Sequence, residues 1–168
     1  MKSMRTTKPR ISIIAAISKK DRAIGKDNKL LWNIPEDMKH FKNLTTGHTV
    51  VMGENTFVSI GKSLPHRTNI VLSVKQGLEL DGCVVAHSVA EALEKARQSE
   101  HEEIFIIGGA SVYKQFIPLA DRLYLTLVEG EYEADTFFPD YPEFSRIIRE
   151  ENVDTGVYAL TFVVLEKE

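Results

Sequence analysis

The amino-acid sequence predicts an α/β domain of three layers: a central mixed, mostly parallel sheet, helices on both faces, and an antiparallel strand pair at the C-terminal end. Three observations carry this. Short apolar runs rich in β-branched residues recur at 11–17 (ISIIAAI), 49–52 (TVVM), 69–72 (NIVL), 83–86 (CVVA) and 104–107 (IFII), the pattern of strands buried on both faces. Helical patterns at 35–45, 55–60, 89–98 and 110–117 lie between several of them, and strand alternating with helix argues for parallel pairing. After Pro118 the alternation stops, because 122–128 (RLYLTLV) and 157–165 (VYALTFVVL) read as strands with no strong helix between them.

Each element has a local reason. The first helix opens at Pro35, whose fixed φ suits a first helical position, with Glu36 and Asp37 in the turn where the macrodipole favours acids. Along it Asp37, Phe41 and Leu44 fall at i, i+4 and i+7 with Met38 flanking, while Glu36, Lys39, His40 and Lys42 point mostly elsewhere. Ser88 and Glu91 form a capping-box signature ahead of Ala92, Leu93 and Ala96, which fixes the start of the third helix.

Length and composition set the bounds. The 168 residues suit one domain, read as residues 11–168, preceded by a basic extension at 1–10 that is expected to be disordered. A chain this long buries roughly 70% of its unfolded surface and needs no staple; the single Cys83 has no partner for an internal bridge. The net charge of −3 gives no field to draw nucleic acid or anionic lipid. No apolar run approaches the roughly 20 residues of a membrane helix, and no signal peptide is evident. The expectation is a cytoplasmic monomer.

Three constellations bear on chemistry. Asp37 places a carboxylate on an apolar helix face, where it either complements the dipole or holds a cationic or amidine-like ring through two hydrogen bonds. Gly108 and Gly109 stand between a strand and a helix opening at Ala110, Ser111 and Val112, either as a tight turn or as a place where backbone approaches a phosphate. Gly53 to Thr56 repeats strand, glycine, helix, with the Thr56 hydroxyl a cap or a phosphate contact. Other chemistries lack their residues. The Gly61, Lys62, Ser63 triplet has Thr56 where a Walker loop needs glycine; no histidines stand as an H-x-x-x-H pair and no metal is expected; no G-x-S-x-G elbow occurs.

Taken in order, these segments resemble one family. AlaAlaIle at 15–17, IleGly at 24–25, LeuLeuTrp at 30–32, the helix from Pro35 to Phe41, MetGly at 52–53 with Thr56, and SerIleGly at 59–61 are similar to the first half of dihydrofolate reductases. LeuPro at 64–65 with Arg67 and Asn69, IleGlyGly at 107–109 with Val112 and Tyr113, and AspThrPhePhePro at 135–139 extend the likeness over residues 11–165. The resemblance implies reduction of 7,8-dihydrofolate to tetrahydrofolate by hydride transfer from NADPH. It implies that Asp37 binds the pterin 2-amino group and N3 and assists protonation of N5 through water, with Trp32 and Thr126 completing the catalytic set. Ile14, Ala15, Ala16, Leu30, Met38, Phe41, Ile60, Leu64, Ile107 and Tyr113 would line the pterin pocket, and Arg67 would clasp the glutamate tail. Residues 24–33 would form a lid.

The cofactor would meet Ala16, Ile24, Gly25, Gly53, Asn55, Thr56, Leu72, Ser73, Val74, Gly108, Gly109, Ala110, Ser111 and Val112, with the Gly108–Gly109 bond cis. Three departures stand out. Glu54 replaces a usual basic residue after MetGly, Ser111 stands where some members carry another, and Leu31 replaces the proline before the tryptophan. Glu54 would repel a 2′-phosphate, so the resemblance leads to NADPH with Lys75 compensating and NADH more acceptable than usual. Two alternatives remain beside this: a relative of the same fold that reduces another pterin or aminopyrimidine, and a non-catalytic binder of folate or nucleotide.

Overall fold

A computed structural model describes residues 8–168; most of the expected N-terminal extension lies outside the described residues. Its end is not loose: Pro9 is buried and Arg10 already belongs to the first strand, donating its N–H to the Glu102 carbonyl at 2.8 Å.

The elements follow in order: β1 Arg10–Ser18, β2 Ala23–Lys26, β3 Lys29–Leu30, α1 Pro35–Thr45, β4 Thr49–Gly53, α2 Glu54–Ile60, β5 Thr68–Leu72 and β6 Cys83–Ala86. Then come α3 Val89–Ser99, β7 Glu103–Gly108, α4 Ala110–Phe116, a single 3-10 turn at Ile117–Leu119, β8 Arg122–Val128, β9 Thr136–Phe137, β10 Arg146–Asp154 and β11 Ala159–Glu166. Eight strands form the central sheet in the order β10-β11-β8-β1-β7-β4-β5-β6. Strand β11 pairs antiparallel with both β8 and β10, and the other pairings are parallel. The expected antiparallel pair is therefore β8 with β11.

Four strands had no counterpart in the sequence reading at this end and at the lid. Strand β10 is exposed at nearly every position, so its residues RIIREENVD lack the apolar period that marks a strand. Strands β2, β3 and β9 build a separate three-stranded sheet from two- and four-residue pieces. A turn with Asp27 at φ 53° and Asn28 at φ 62° joins β2 to β3. Asn and Asp tolerate that left-handed region better than other side chains.

The sheet's two faces carry separate cores. On one, Ile11, Ile13, Ala15 and Ile17 of β1 join Val51, Ile70, Ile104 and Ile106 beneath Ala92, Leu93 and Ala96 of α3 and Val112 and Phe116 of α4. On the other, Ile14, Val50, Met52, Val71 and Phe105 pack against Phe41 and Leu44 of α1 and Phe57 of α2. Alternation along β1 sends successive side chains to opposite helix layers, which is why its run is apolar without a gap. The cap read at Ser88 is present as half a box. Its hydroxyl accepts the Glu91 N–H at 3.1 Å, while the Glu91 carboxylate pairs with Lys95 at 3.0 Å.

The chain crosses the sheet in opposite senses from two neighbouring strands. From β1 it passes through α1 on one face to β4; from β7 it passes through α4 on the other face to β8. That reversal creates a crevice at the carboxyl ends of β1 and β7.

The Ser88 cap fixes a testable quantity. Ser88→Ala removes the acceptor for Glu91 N–H, and urea unfolding should register a loss of about 1 kcal/mol with unchanged m-value; a loss near zero would mean that water caps the helix equally well.

Candidate functional site

The crevice begins where two strands part. β1 and β7 stay paired only as far as Ile13↔Ile106, whereas β1 continues beside β8 to Ser18↔Val128. Parting frees backbone carbonyls in the interior, where an unpaired acceptor is costly. Tyr113 supplies the donor: its hydroxyl lies 2.9 Å from the Ile14 carbonyl and 2.9 Å from the Ile107 carbonyl, and its one proton is shared between them. Burial pushes the Tyr113 hydroxyl well above its ordinary pKa, with the Asp37 charge adding to the shift, so it stays a donor.

Asp37 faces this crevice from α1. Its Oδ1 accepts the Thr126 hydroxyl at 2.6 Å, and Thr126, 3% exposed, stands beside Ala16 across β8 and β1. Burial raises the Asp37 pKa above its ordinary value, while the Thr126 hydrogen bond and the nearby His40 pull it down less strongly. A carboxyl in this setting holds a proton more readily than one in water.

Around it the residues singled out from sequence take distinct places. Ile14, Ala15 and Ala16 form the inner end of β1, and Ile107 lies at the end of β7. Phe41 and Leu64 are partly buried against the Ile14 core. Leu30 at 75% exposure, Met38 at 57% and Ile60 at 37% stand open to solvent, so the carboxylate expected among Met38, Phe41 and Ile60 is bordered by an apolar rim rather than a closed wall.

Trp32 sets its ring edge-on to Tyr132 at 5.0 Å, and its buried indole N–H has no partner among the described residues. The lid segment is a hairpin. Ile24 and Gly25 are buried on β2, which is tied to β9, while the Asp135 carboxylate accepts the Asp27 N–H at 3.0 Å.

The glycine turn adjoins this cleft. Gly108–Gly109 is a cis peptide, with Gly108 at φ 143°. A Cβ on Gly108 would lie 3.1 Å from the Thr56 hydroxyl, and one on Gly109 would lie 3.4 Å from it. Across from them a Cβ on Gly53 would meet Val112 at 3.0 Å. At Gly108 the positive φ and the short approach to Thr56 both favour glycine. Helices α2 and α4 both start here without a side-chain cap, leaving the first-turn amides through Asn55 and Thr56, and through Ser111 and Val112, without intrahelical partners. The arrangement fits a phosphate-bearing group.

Farther along the carboxyl edge, Leu72 ends β5, Ser73 is buried and Val74 is exposed. Here the Ser73 hydroxyl donates to Glu54 at 2.7 Å and the Lys75 ammonium donates to its other oxygen at 2.7 Å. The Lys75 and Ser73 bonds hold the Glu54 carboxyl below its ordinary pKa. Lys75, expected to be available as a compensating cation, is therefore already engaged.

Arg67 lies at the C-terminal end of α1. Its guanidinium sits 5.9 Å from the Phe41 ring centroid and donates to the Thr46 hydroxyl at 3.0 Å, yet its buried Nε–H has no acceptor among the described residues.

One residue was misplaced by the helical count. His40, expected to point away from the apolar face, is half-buried and stacked on Phe162, with ring centroids 4.1 Å apart. The missing information was β11, whose aromatic side chain gives the imidazole a surface; the i, i+3 spacing from Asp37 was the only local signal.

Comparison with known proteins agrees with this arrangement. Residues 10–167 match the family described as dihydrofolate reductase. The chain is 45% identical over 133 residues to the dihydrofolate reductase of Bacillus subtilis, covering 79% of this chain and 77% of that one. It is 42% identical over 163 residues to the type 3 dihydrofolate reductase of Salmonella typhimurium, covering 94% and 98%. A solved dihydrofolate reductase from Enterococcus faecalis, complexed with NADP(H) and RAB-propyl, superposes with a TM-score of 0.86 at 34% identity over 96% of this chain and 98% of its own.

Burial of Asp37 makes a prediction about stability. Its pKa is raised in the folded state above the ordinary 3.8, so between those two values the folded chain holds a proton that the unfolded chain has lost. Stability therefore falls as pH rises through that window, and the loss is complete above the folded value. Asp37→Asn, which keeps an oxygen for Thr126, should gain stability over the parent in ligand-free urea unfolding at about pH 7 but not at about pH 3. Equal midpoints at both pH values would refute this.

Proposed function

Because the chain belongs to the dihydrofolate reductase family, we propose that it reduces 7,8-dihydrofolate with NADPH and that Asp37 provides the route for the proton gained at N5. The observation that carries the residue assignment is the half-buried Asp37, held by Thr126 at 2.6 Å beside the parted strands. NADPH supplies the hydride when bound. The chain's own residues bind, orient and exclude water.

Asp37 has one oxygen committed to Thr126 and the other free of hydrogen bonds from the described residues. In its ionised form this carboxylate accepts from the 2-amino group and N3 of a pterin, a planar pair of donors that matches its geometry. Thr126 fixes the carboxylate orientation from β8. The unpartnered Trp32 indole N–H is placed to hold a water, and a water lets Asp37 serve N5 without touching it. Ile14, Ala15, Ala16, Leu30, Met38, Phe41, Ile60, Leu64, Ile107 and Tyr113 form the apolar surroundings. Binding of a flat bicyclic ring covers the open rim of Leu30, Met38 and Ile60, which gives affinity and dries the reacting atoms.

Arg67 takes the α-carboxylate of the glutamate tail. The support is its buried Nε–H, which lacks an acceptor and which a bidentate carboxylate would satisfy. The glycines at 53, 108 and 109 with Thr56, and the amides from Ala110 to Val112, hold the pyrophosphate. Ile24 and Gly25 cover the nicotinamide end from the hairpin, and Leu72 to Val74 meet the adenosine.

At that end Glu54 bears a negative charge offset by Lys75. A ribose 2′-hydroxyl donates to such a carboxylate, whereas a 2′-phosphate is repelled by it and must draw Lys75 away. NADH is therefore used more readily here than where a basic residue follows the MetGly pair, while NADPH remains the substrate expected from the family.

Loss of NADPH absorbance on mixing with dihydrofolate tests the activity; no loss would favour a silent binder. Asp37→Asn should lower turnover at neutral pH by about 100-fold or more, and an unchanged rate would remove Asp37 from the proton route. Glu54→Arg should raise the ratio of kcat/KM for NADPH over NADH about tenfold or more, a gain of about 1.4 kcal/mol in discrimination. Strong NADPH preference in the parent, unaltered by Glu54→Arg, would refute the role given to Glu54.

A further inference from the structure

Three adjacent strands place one row of residues under α1. Thr126 of β8 pairs directly with Phe162 of β11, and Phe162 pairs directly with Glu151 of β10. Directly opposed residues point to the same face of a sheet, one strand spacing apart. On α1, Asp37 and His40 are separated by three residues, which sets their side chains side by side at about the same interval. The two periods match: Asp37 bonds Thr126 at 2.6 Å and His40 stacks on Phe162 at 4.1 Å. His40 therefore occupies the position between the acid in the crevice and the solvent edge at β10.

We propose that His40 is a positioning residue for Asp37: the two side chains titrate as a coupled pair, and the imidazole charge adjusts how readily Asp37 holds its proton. The inference rests on the reading of Asp37 as the acid that serves N5. The charged groups facing the imidazole are Asp37 on its own helix and Glu151 and Arg149 on β10; β11 contributes the uncharged Phe162 ring. Burial of the ring lowers the His40 pKa, Asp37 and then Glu151 oppose the shift, and Arg149 reinforces it. Arg149 and Glu151 also face each other at 3.6 Å, so the edge supplies little net charge and Asp37 becomes the dominant partner. Coupled groups release their protons in steps that belong to the pair, so a neutral His40 lets Asp37 keep a high proton affinity and a protonated His40 weakens it.

Two measurements test the coupling. In the first, the imidazole resonances of His40 are followed by NMR against pH in the full chain and in Asp37→Asn. The His40 pKa should fall by about half a unit or more in the variant, because a favourable charge has gone; an unmoved pKa overturns the proposal. This result is independent of catalysis, so it can fail while Asp37 remains the proton route, and the turnover test of Asp37 can fail while the coupling stands.

In the second, the pH profile of the hydride-transfer step is compared between His40→Phe, which keeps a ring on Phe162, and His40→Arg, which fixes a cation. The His40→Arg profile should lie about half a pH unit or more to the acid side of the His40→Phe profile. Coincident profiles would show that charge at position 40 does not reach Asp37 and would overturn the proposal. A role limited to packing predicts no such separation.

Discussion

The parting of β1 from β7 beyond Ile13 and Ile106 is the constraint on which the site depends. A sheet that stayed paired to its end would present a closed edge. The opening instead exposes the Ile14 and Ile107 carbonyls to the interior, and the single hydroxyl of Tyr113 satisfies both. That hydroxyl belongs to α4, the helix that begins at the glycine turn, so the parted strands and the glycine turn are tied to one element.

Electrostatics at the two ends of the cleft follow opposite rules. At Asp37 removal from water dominates and one hydroxyl bond does not offset it, so the proton is favoured. At Glu54 a partly buried carboxylate with a lysine and a serine as donors favours the charge. The same functional group is thus biased towards its protonated form in one place and its ionised form in the other, by environment alone.

The alternating strands and helices were legible because each obeys a local rule. The unbroken apolar run of β1 announces burial on both faces, Pro35 announces a helix start, and Ser88 announces another. What escaped the sequence depends on partners distant along the chain. Strand β10 has no periodic signal because only its pairing with β11 makes it a strand. The lid hairpin is held by β9, about one hundred residues away, through contacts such as Asp27 with Asp135 (separation 108). Asp37 was read correctly as a carboxylate on an apolar face, yet its Thr126 partner is fixed by β8. His40 was read as pointing outward because no count along α1 reveals that Phe162 waits opposite it.

Strand β1 lies between β8 and β7 in the finished sheet, although both of these neighbours come far later in the chain. The contacts that build the site are long in range: Tyr113 of α4 to Ile14 of β1 closes a separation of 99 residues, and Thr126 of β8 to Asp37 of α1 one of 89. Contacts of such range are slow to form because loop closure precedes their reward. During translation the isoleucines of β1 therefore emerge before either neighbouring strand exists to pair with its edges, which leaves the run open to non-native contacts until β7 and β8 follow.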